Sequence, residues 1–500
     1  MSNTICNSFP GYECVWNPED KKFHNMYRGD DIGKGGWIYS EEGIWTDVAL
    51  LDIQSMHPNS AVSMNVFGEY TQRFKDILDA RVAIKHGDYD KARQLFDGRL
   101  APYLEDKSTA KDLSQALKIS INSVYGLTSA NFDNPFRDLR NKNNIVALKG
   151  ALFMRTLQDE VKKRGFTVAS IRTDSIKIPN ATLEIIQFCS EFAAKYGYIF
   201  EHECTYSKLC LVNKSAYIAE YASIERCKEL YGDEYVYKDD DTLKENKKHP
   251  KTWSATATQF QVPFVFKTLF SKEPIEFEDF CEVKEVKTAI YLDMNEGFPD
   301  VSKYEKECSA LWKDITDISS IQDADREAKR NRIDELEELI SNGHDYHFIG
   351  KVGNFCPIKP GCGGGILVRE AKAKDGSKKY DSVTGTLRPD GTPYRWLEAE
   401  AVKALGKEAD IDKSYYIKLV DDAVEAISQY GDFERFVADE PYTAGIAGID
   451  FPPDEDPPWY TDEELKAIQE AEREGLPYYI TPELAKILDE NAQDDTFNKR

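Results

Sequence analysis

Polar residues interrupt an apolar stretch at helical spacing between Leu117 and Gly126. Lys118, Asn122 and Tyr125 stand at positions i, i+4 and i+7, so an α-helix places them on one stripe. A cation, an amide and a phenol make a poor core face, but they suit a ligand with phosphates at one end and a flat ring at the other. The stripe therefore predicts a binding face, and an exposed helix side with chance polar residues is the alternative.

The surrounding segment 66–130 has the pattern of two antiparallel helices. The first is predicted over Thr71–Lys85, and the second carries Lys118. Arg81 and Lys85 are i,i+4 neighbours, so both can face the same anion as Lys118. A solvated helix face explains this basic pair equally well.

Two carboxylates are predicted where buried strands end. Residues 46–58 begin with an apolar run and end at a proline, which indicates a buried strand followed by a turn. Asp52 lies at the apolar end of that run, where an unpaired carboxylate is costly and needs a cation. Residues 166–178 read as a strand, a tight turn and a strand, with Asp174 at the apex.

The remainder of the chain predicts a mixture of helices and short strands. Residues 208–221 alternate like a strand, and 230–251 read as a charged loop. Further on, the pattern predicts helices near 304–312 and 324–342, short strands with glycine-rich turns over 347–396, and an amphipathic helix over 412–436. A proline-rich, acidic linker and tail follow.

Four potential metal ligands lie close together in the region of short strands: His344, His347, Cys356 and Cys362. Such a set could bind structural zinc. Because the H-x2-H-x8-C-x5-C spacing is not a common one, a metal-free β-hairpin is favoured over a zinc site.

The composition fits a globular chain of two or three domains. The chain has 500 residues, of which 30% are charged and 41% are hydrophobic. No stretch approaches a membrane span, and the N-terminus lacks the layout of a signal peptide. The ten cysteines show no C-x-x-C spacing, which suits a reducing cytoplasm. We therefore expect a cytoplasmic location and no membrane partner.

The net charge of −24 does not exclude a nucleic-acid partner, because the excess acid is local. Residues 431–500 carry 19 acidic and 6 basic residues, a net charge of −13. Residues 131–180, by contrast, hold five acids and these basic residues: Arg137, Arg140, Lys142, Lys149, Arg155, Lys162, Lys163, Arg164, Arg172 and Lys177. A basic surface beside an acidic tail is compatible with binding DNA.

Three segments, in this order along the chain, resemble motifs of family B DNA polymerases, in particular the bacteriophage type. The stretch D-I-Q-S-M-H-P from Asp52 resembles the first motif, D-x-x-S-L-Y-P-S. K-I-S-I-N-S-V-Y-G from Lys118 resembles K-x-x-x-N-S-x-Y-G. R-T-D-S resembles D-T-D-S, with Asp174 at the second acid and Arg172 at the first.

The resemblance implies an α/β (α+β) fold. It would be a right-hand polymerase with an antiparallel-sheet palm, two-helix fingers and a helical thumb that carries a small β subdomain. The implied divisions are an N-terminal segment with the first palm strand at 1–65, fingers at 66–130, palm at 131–260, thumb at 261–440 with the β subdomain near 345–400, and an acidic linker and tail at 441–500.

The resemblance also implies a DNA-directed DNA polymerase, which adds deoxynucleotides to a primer 3′-hydroxyl with two Mg²⁺ ions, for which Mn²⁺ can substitute. Asp52 and Asp174 would be the catalytic acids and, with Ile53, the metal ligands. The implied nucleotide-binding residues are Ser55, Met56, His57, Arg81, Lys85, Lys118, Asn122 and Tyr125. The implied contacts to primer and template DNA are Lys214, Tyr217, Thr173, Gly35 and Gly36.

Four positions depart from the family pattern. His57 replaces a tyrosine that excludes ribonucleotides, so sugar discrimination stays open. Arg172 replaces the first acid of the third motif. Ser215 replaces the second basic residue of the primer-binding K-K-x-Y element, and Gly33 replaces the tyrosine of a Y-x-G-G element.

Only 51 residues precede Asp52, too few for the proofreading exonuclease domain that the family usually carries there. We therefore expect a polymerase without proofreading, one that docks a separate exonuclease chain through residues 7–39, or a truncated copy of a longer polymerase. Another replisome protein is a further possible partner. The setting would be phage DNA replication in the host cytoplasm. The alternatives are an inactive, polymerase-derived DNA-binding or scaffold protein and, less favoured, a metal-dependent nuclease.

Overall fold

The computed structural model describes residues 3–33, 35–134, 136–137, 144–238, 242–295, 301–317, 323–372 and 378–439. The predicted acidic tail and two of the basic residues, Arg140 and Lys142, lie outside these ranges. Within them, helices pack with antiparallel sheets, and the α+β prediction is confirmed. None of the described helices combines the length and the apolar character that crossing a membrane requires.

The strands are, in chain order, β1 (Glu13–Asn17), β2 (Lys22–Tyr27), β3 (Asp30–Asp31), β4 (Ile38–Ser40), β5 (Gly43–Ile53), β6 (Ser170–Arg172), β7 (Ser175–Ile178), β8 (Phe200–Leu211), β9 (Tyr217–Tyr221), β10 (Trp253–Thr256), β11 (Glu282–Asp293), β12 (Tyr346–Ile358), β13 (Ile366–Lys372), β14 (Lys378–Ser382) and β15 (Arg395–Glu398). The helices are α1 (Asn3–Ser8), α2 (Met56–Ser63), α3 (Thr71–Lys85), α4 (Tyr89–Gln94), α5 (Lys107–Thr128), α6 (Ile145–Lys163), α7 (Leu183–Ala194), α8 (Ile224–Tyr231), α9 (Asp233–Lys238), α10 (Lys244–Lys248), α11 (Thr258–Gln261), α12 (Pro263–Phe266), α13 (Ser302–Asp317), α14 (Asp323–Asn342), α15 (Ala399–Ala404), α16 (Lys413–Ser428) and α17 (Phe433–Val437). The chain forms two compact units, one that runs to Phe260 and resumes at Ala426, and one that spans Gln261–Glu425.

The first unit is built on an antiparallel sheet with the strand order β10-β9-β8-β5-β7-β6-β4. The side chains of the central strand β5 point alternately to the two faces of the sheet. Leu51 and Ile53 join the main core with side chains of α2, α6 and α7, while Leu50 belongs to a smaller cluster. Because strand side chains alternate between faces, Asp52 lies on the same face as Leu50. The apolar run of β5 thus anchors the sheet and presents one acid at its end.

Helix α6 holds this sheet in place. It buries most of its length, including Leu152, Phe153 and Leu157. Burial of each such side chain stabilises the fold by about 1.5–3 kcal/mol, and a Leu152→Ala substitution would cost about 2–5 kcal/mol. The packing is close enough that a Cβ on Gly150 would lie 2.5 Å from the sulfur of Met56 in α2. The two helices therefore fix each other's position.

The antiparallel pair α3 and α5 forms beside the sheet, as predicted. The side chain of Asp106 caps α5 by accepting hydrogen bonds from the amides of Ser108 and Thr109 at 2.8 and 3.0 Å. Loss of such a cap costs about 1 kcal/mol. Between the helices, a small apolar cluster that includes Ile84 and Leu104 fixes their spacing.

Three local expectations are wrong. Residues 230–251, predicted as a loop, contain the end of α8 together with α9 and α10, and these two short charged helices bury Val236 and Asn246. The single strand predicted over 208–221 is two strands joined by a turn, in which Asn213 accepts the amide of Ser215 at 2.9 Å. The helix predicted over 412–436 is likewise interrupted between α16 and α17.

The second unit contains a sheet with the order β14-β13-β11-β12-β15, and α13 pairs with α14. The sheet starts at Glu282, well before the predicted β region. Its first strand, β11, escaped prediction because much of it is charged and exposed. Its core includes Cys356 and Leu397.

The four possible zinc ligands of this unit have other neighbours. His344 lies 2.6 Å from the carboxylate of Asp293, and the sulfur of Cys356 lies 3.4 Å from that of Cys281. Among the described residues, neither His347 nor Cys362 joins them in a group of three or more His, Cys, Asp or Glu side chains that could hold a metal ion.

Candidate active site

One cleft of about 510 Å³ in the first unit gathers residues from five separate stretches of sequence. It lies where β5 ends and α2 begins, and α3, α5 and the turn between β6 and β7 complete its walls. All the predicted metal-binding and nucleotide-binding residues line it: Asp52, Ile53, Ser55, Met56, His57, Arg81, Lys85, Lys118, Asn122, Tyr125 and Asp174. Chain folding therefore brings together residues that span more than 120 positions in the sequence.

The two acids sit on neighbouring strand ends. Asp52 pairs with Ser175 in the ladder between β5 and β7, and the amide of Ile53 donates to the carbonyl of Asp174 at 2.8 Å. Neighbouring strands are about 5 Å apart, so both carboxylates face the same small volume. Thr173, with φ of 53°, makes the tight turn that aims Asp174 into the cleft.

The surroundings of these two acids favour their protonated forms on balance, although Lys85 opposes the shift at Asp52 and His57 opposes it at Asp174. Burial raises the pKa of Asp52 to about 7, and the negative charges of Asp174, Glu203 and Glu201 add to this effect. Burial also raises the pKa of Asp174. Among the described residues, neither carboxylate has a hydrogen bond or an ion pair with another side chain. A cation bound between them would reverse both shifts.

Cationic side chains line the opposite wall. Arg81 and Lys85 come from α3, and Lys118 comes from α5. The guanidinium of Arg81 reaches Ser55 Oγ at 3.4 Å, but its buried Nε has no hydrogen-bond partner among the described residues. Lys85 Nζ lies 3.4 Å from Glu201. A buried donor without an acceptor is costly, so this wall is suited to an anion.

The N-terminus of α2 adds backbone donors to the same wall. Ser55 precedes the helix in the left-handed conformation, with φ of 53°, and its side chain makes no capping bond. The first amides of an α-helix, here those of Met56 and His57, have no partner within the helix. They carry the positive end of the helix dipole, which favours bound phosphate.

Two rings form a third wall. The ring centroids of His57 and Tyr125 are 5.5 Å apart with planes at 47°. The hydroxyl of Tyr125 donates to Asn144 Oδ1 at 2.9 Å, which orients the phenol. Burial lowers the pKa of His57, so its imidazole is neutral at pH 7. With Asn122, these rings offer a flat surface and a hydrogen-bonding amide to a planar ligand.

The predicted DNA contacts lie around the cleft rather than in its wall. Thr173 donates its amide to the carbonyl of Trp37 at 3.0 Å, and a Cβ on Gly36 would lie 2.6 Å from Thr173 Oγ1. Only glycine fits there, whereas Gly35 has open space. Lys214 lies in the turn before β9, and Tyr217 begins that strand.

Two residues of the site escaped the sequence analysis. Glu201 lines the cleft because β8 pairs with β5 and places it opposite Asp52, and Gln54 holds its carboxylate at 2.7 Å. The two acids at 201 and 203 near the start of β8 were the available signal. Arg172, which replaces the first acid of the third motif, does not line the cleft. Its guanidinium donates instead to the carbonyl of Ser215 at 3.1 Å.

No protein-family model and no curated protein matches this chain. Among solved structures, it is similar to the family B DNA polymerase from the hyperthermophilic archaeon Pyrobaculum calidifontis, with 12% sequence identity and a TM-score of 0.35. The match covers 82% of this chain and 49% of that one, so the chain spans about half the length of that polymerase. A likeness this distant carries no argument about activity, which is argued below from the geometry of the cleft.

Proposed function

We propose that this chain is a template-directed DNA polymerase, which transfers a deoxynucleotide to a primer 3′-hydroxyl. One observation carries the proposal: the cleft sets the unpaired carboxylates of Asp52 and Asp174 against the cations Arg81, Lys85 and Lys118. A substrate that brings divalent cations on one side and phosphates on the other satisfies both walls at once. A nucleoside triphosphate with its metal ions is such a substrate.

The donor set fits Mg²⁺. This ion prefers oxygen ligands and is usually held by one or two carboxylates, with substrate phosphates and water completing its shell. Asp52, Asp174 and the backbone carbonyl of Ile53 would hold two such ions, and Mn²⁺ can substitute. When bound, the ions would activate the primer hydroxyl and stabilise the pyrophosphate leaving group.

The remaining groups would bind and orient the nucleotide. Arg81 and the amides of Met56 and His57 would hold the triphosphate, with Lys85 and Lys118 neutralising its charge. Asn122 would orient the phosphates, and Tyr125 would pack against the nascent base pair. The imidazole of His57, beside Tyr125, would lie under the sugar.

The proposal assigns the roles of the right-hand polymerase to the predicted divisions: 66–130 fingers, 131–260 palm and 261–440 thumb. Primer and template DNA would pass along Thr173, Lys214, Tyr217, Gly35 and Gly36. The resemblance to phage enzymes adds replication of phage DNA in a host cytoplasm, with a separate exonuclease or replisome protein as a partner.

A single-nucleotide primer extension with Mg²⁺ tests the proposal. The parent should add the deoxynucleotide that the template specifies, and Asp174→Asn should lose roughly 10³-fold or more of the rate while retaining its circular dichroism spectrum. Asp90→Asn is the matched control, because Asp90 is 90% exposed and pairs only with Arg93 among the described residues. A parent that extends no primer with any divalent ion would instead indicate a DNA-binding protein without turnover.

A further inference from the structure

A second cavity, of about 540 Å³, lies in the first unit at the opposite end of α2 from the cleft. Its walls combine apolar and polar side chains, and Ile5, Phe9, Met64 and Phe192 are among the apolar ones. The rings of Phe9 and Tyr196 stack at 5.3 Å. The polar residues of the cavity include Ser8, Ser63, Lys149 and Lys195. Neither the sequence motifs nor the proposed polymerase activity assigns a function to this cavity.

Lys149 is the unusual residue of this cavity. It lies within α6 and is only 6% exposed. Its ammonium donates to Ser63 Oγ and to the carbonyl of Tyr196, the latter at 3.0 Å, and lies 5.2 Å from the ring centroid of Tyr198. An ammonium has three N–H donors, so these two acceptors leave one.

No counter-charge accompanies this buried cation. Among the described residues, no carboxylate lies within ion-pair distance of Lys149, and the residues that line the cavity include no acid. The buried Lys208 of the same unit shows the usual arrangement, with the carboxylate of Glu220 at 3.7 Å. Buried charges without partners are costly and are rare unless they bind something.

The contents of the cavity define the chemistry that would complement it. One buried ammonium, with the exposed Lys195 as a second cation, calls for an anion. The aromatic and aliphatic walls call for an apolar body behind that anion, because burying apolar surface is favourable at about 25 cal/mol per Å². A bare phosphate would satisfy the cations but would leave these walls without contact.

We propose that this cavity binds a small carboxylate with an apolar body, held by its carboxylate on Lys149 and by its body against Phe9 and Phe192. The ligand carboxylate would accept a charge-assisted hydrogen bond from the third N–H of the Lys149 ammonium. Lys195 would steer the anion to the entrance. This site is independent of the proposed polymerase activity.

Isothermal titration of the full chain with three probes tests the inference. Benzoate should bind at one site per chain, and benzyl alcohol, which keeps the ring without the charge, should bind at least roughly tenfold more weakly. Inorganic phosphate should not compete with benzoate at equal concentration. Absence of saturable benzoate binding, equal binding of benzyl alcohol, or effective competition by phosphate would each overturn the assignment.

Substitutions locate the site. Lys149→Met, which keeps the length of the side chain without its charge, should reduce benzoate affinity at least roughly tenfold. The matched control is Lys163→Met on the same helix, since Lys163 is exposed and pairs with Glu160. Unchanged affinity in Lys149→Met would refute the assignment. If that variant does not fold, the comparison of benzoate with benzyl alcohol on the parent decides the question alone.

Discussion

The cleft and the second cavity lie at opposite ends of α2, and they differ in the charges that they hold. The helix has eight residues and is therefore about 12 Å long. Its N-terminal end, at Ser55 to His57, borders a cleft that holds both signs of charge on opposite walls. Its C-terminal end, at Ser63, borders a cavity in which Lys149 is the one buried charged residue among the described lining residues. The cleft, with charges of both signs, can bind a ligand that carries both cations and anionic groups. The cavity, with one buried cation, can bind a single anion.

The two sites also differ in how pH should affect stability. The pKa shift of Asp52 should lower the free energy of unfolding as pH rises, and that of Lys149 should raise it. The carboxyl of Asp52 is stabilised in its protonated form, and the amine of Lys149 is stabilised in its unprotonated form. In both cases burial disfavours the charged form. The Asp52 carboxyl should therefore destabilise the metal-free protein as pH rises from about 4 to 7, and the Lys149 amine should stabilise it as pH rises from about 8 to 10.

Among variants that keep both acids, the largest effect on catalysis is expected at the cationic wall of the cleft. Arg81→Met should raise the KM for the incoming nucleotide roughly 30-fold with a smaller change in kcat, because the lost guanidinium binds the triphosphate before reaction. Steady-state primer extension measures both parameters. Lys75→Met is the control on the same helix, since Lys75 pairs with Asp79 outside the cleft. Equal KM values for the two variants would remove Arg81 from the site.

Asp52 should make the metal-free protein less stable as pH rises. Its pKa is about 7 in the fold and about 3.9 when unfolded, so its contribution to the free energy of unfolding is complete below pH 4 and is lost by pH 7. Urea unfolding of the parent should therefore lose about 3 kcal/mol relative to Asp52→Asn between pH 4.5 and 7.5. Millimolar Mg²⁺ should reduce that loss. Parallel pH profiles of the two proteins would contradict the assignment.

Lys149 should act in the opposite direction and more weakly. Burial lowers its pKa to about 8, below the unfolded value of about 10.4, so between these values the unfolded chain holds a proton that the folded chain has released. Relative to Lys149→Met, the parent should gain about 1 kcal/mol in the free energy of unfolding from pH 8 to 9.5. Urea titration measures this gain, and a decrease over the same range would refute it.

The smallest effect is expected for sugar selection. His57→Tyr should increase the preference for deoxynucleotides over ribonucleotides roughly threefold or more, because a phenol extends farther than an imidazole into the space beside the Tyr125 ring. Competing extension with the two nucleotides gives the ratio. Tyr125→Phe keeps that ring and removes only its bond to Asn144, so the ratio should stay the same. A decrease in the preference in His57→Tyr would place His57 away from the sugar.

Local periodicity predicted the parts of the cleft that a single element defines. The stripe of Lys118, Asn122 and Tyr125 follows from the helical repeat, and all three line the cleft. An apolar run that ends at Asp52 predicts its place at a strand end, and a strand–turn–strand pattern predicts Asp174 at the apex of the turn. Such features depend on only a few residues that are close in sequence, so they can be predicted from the sequence alone.

Features that depend on tertiary packing were not predictable in this way. Glu201 reaches the cleft because β8 pairs with β5 almost 150 residues away in sequence, and no local pattern encodes that pairing. Lys149 was counted as part of a basic surface, but the packing of α6 buries it. β11 was missed because charged residues interrupt its apolar pattern, although its backbone hydrogen bonds are made to β12 and β13.

The most direct measurement is a double-mutant cycle on the two acids, with single-turnover nucleotide incorporation as the readout. If Asp52 and Asp174 act as a unit through shared metal ions, Asp52→Asn and Asp174→Asn should each abolish most of the rate, and the double variant should lose little more than either one. If the two losses multiply, or if either single variant keeps most of its activity, the two carboxylates do not form one catalytic centre.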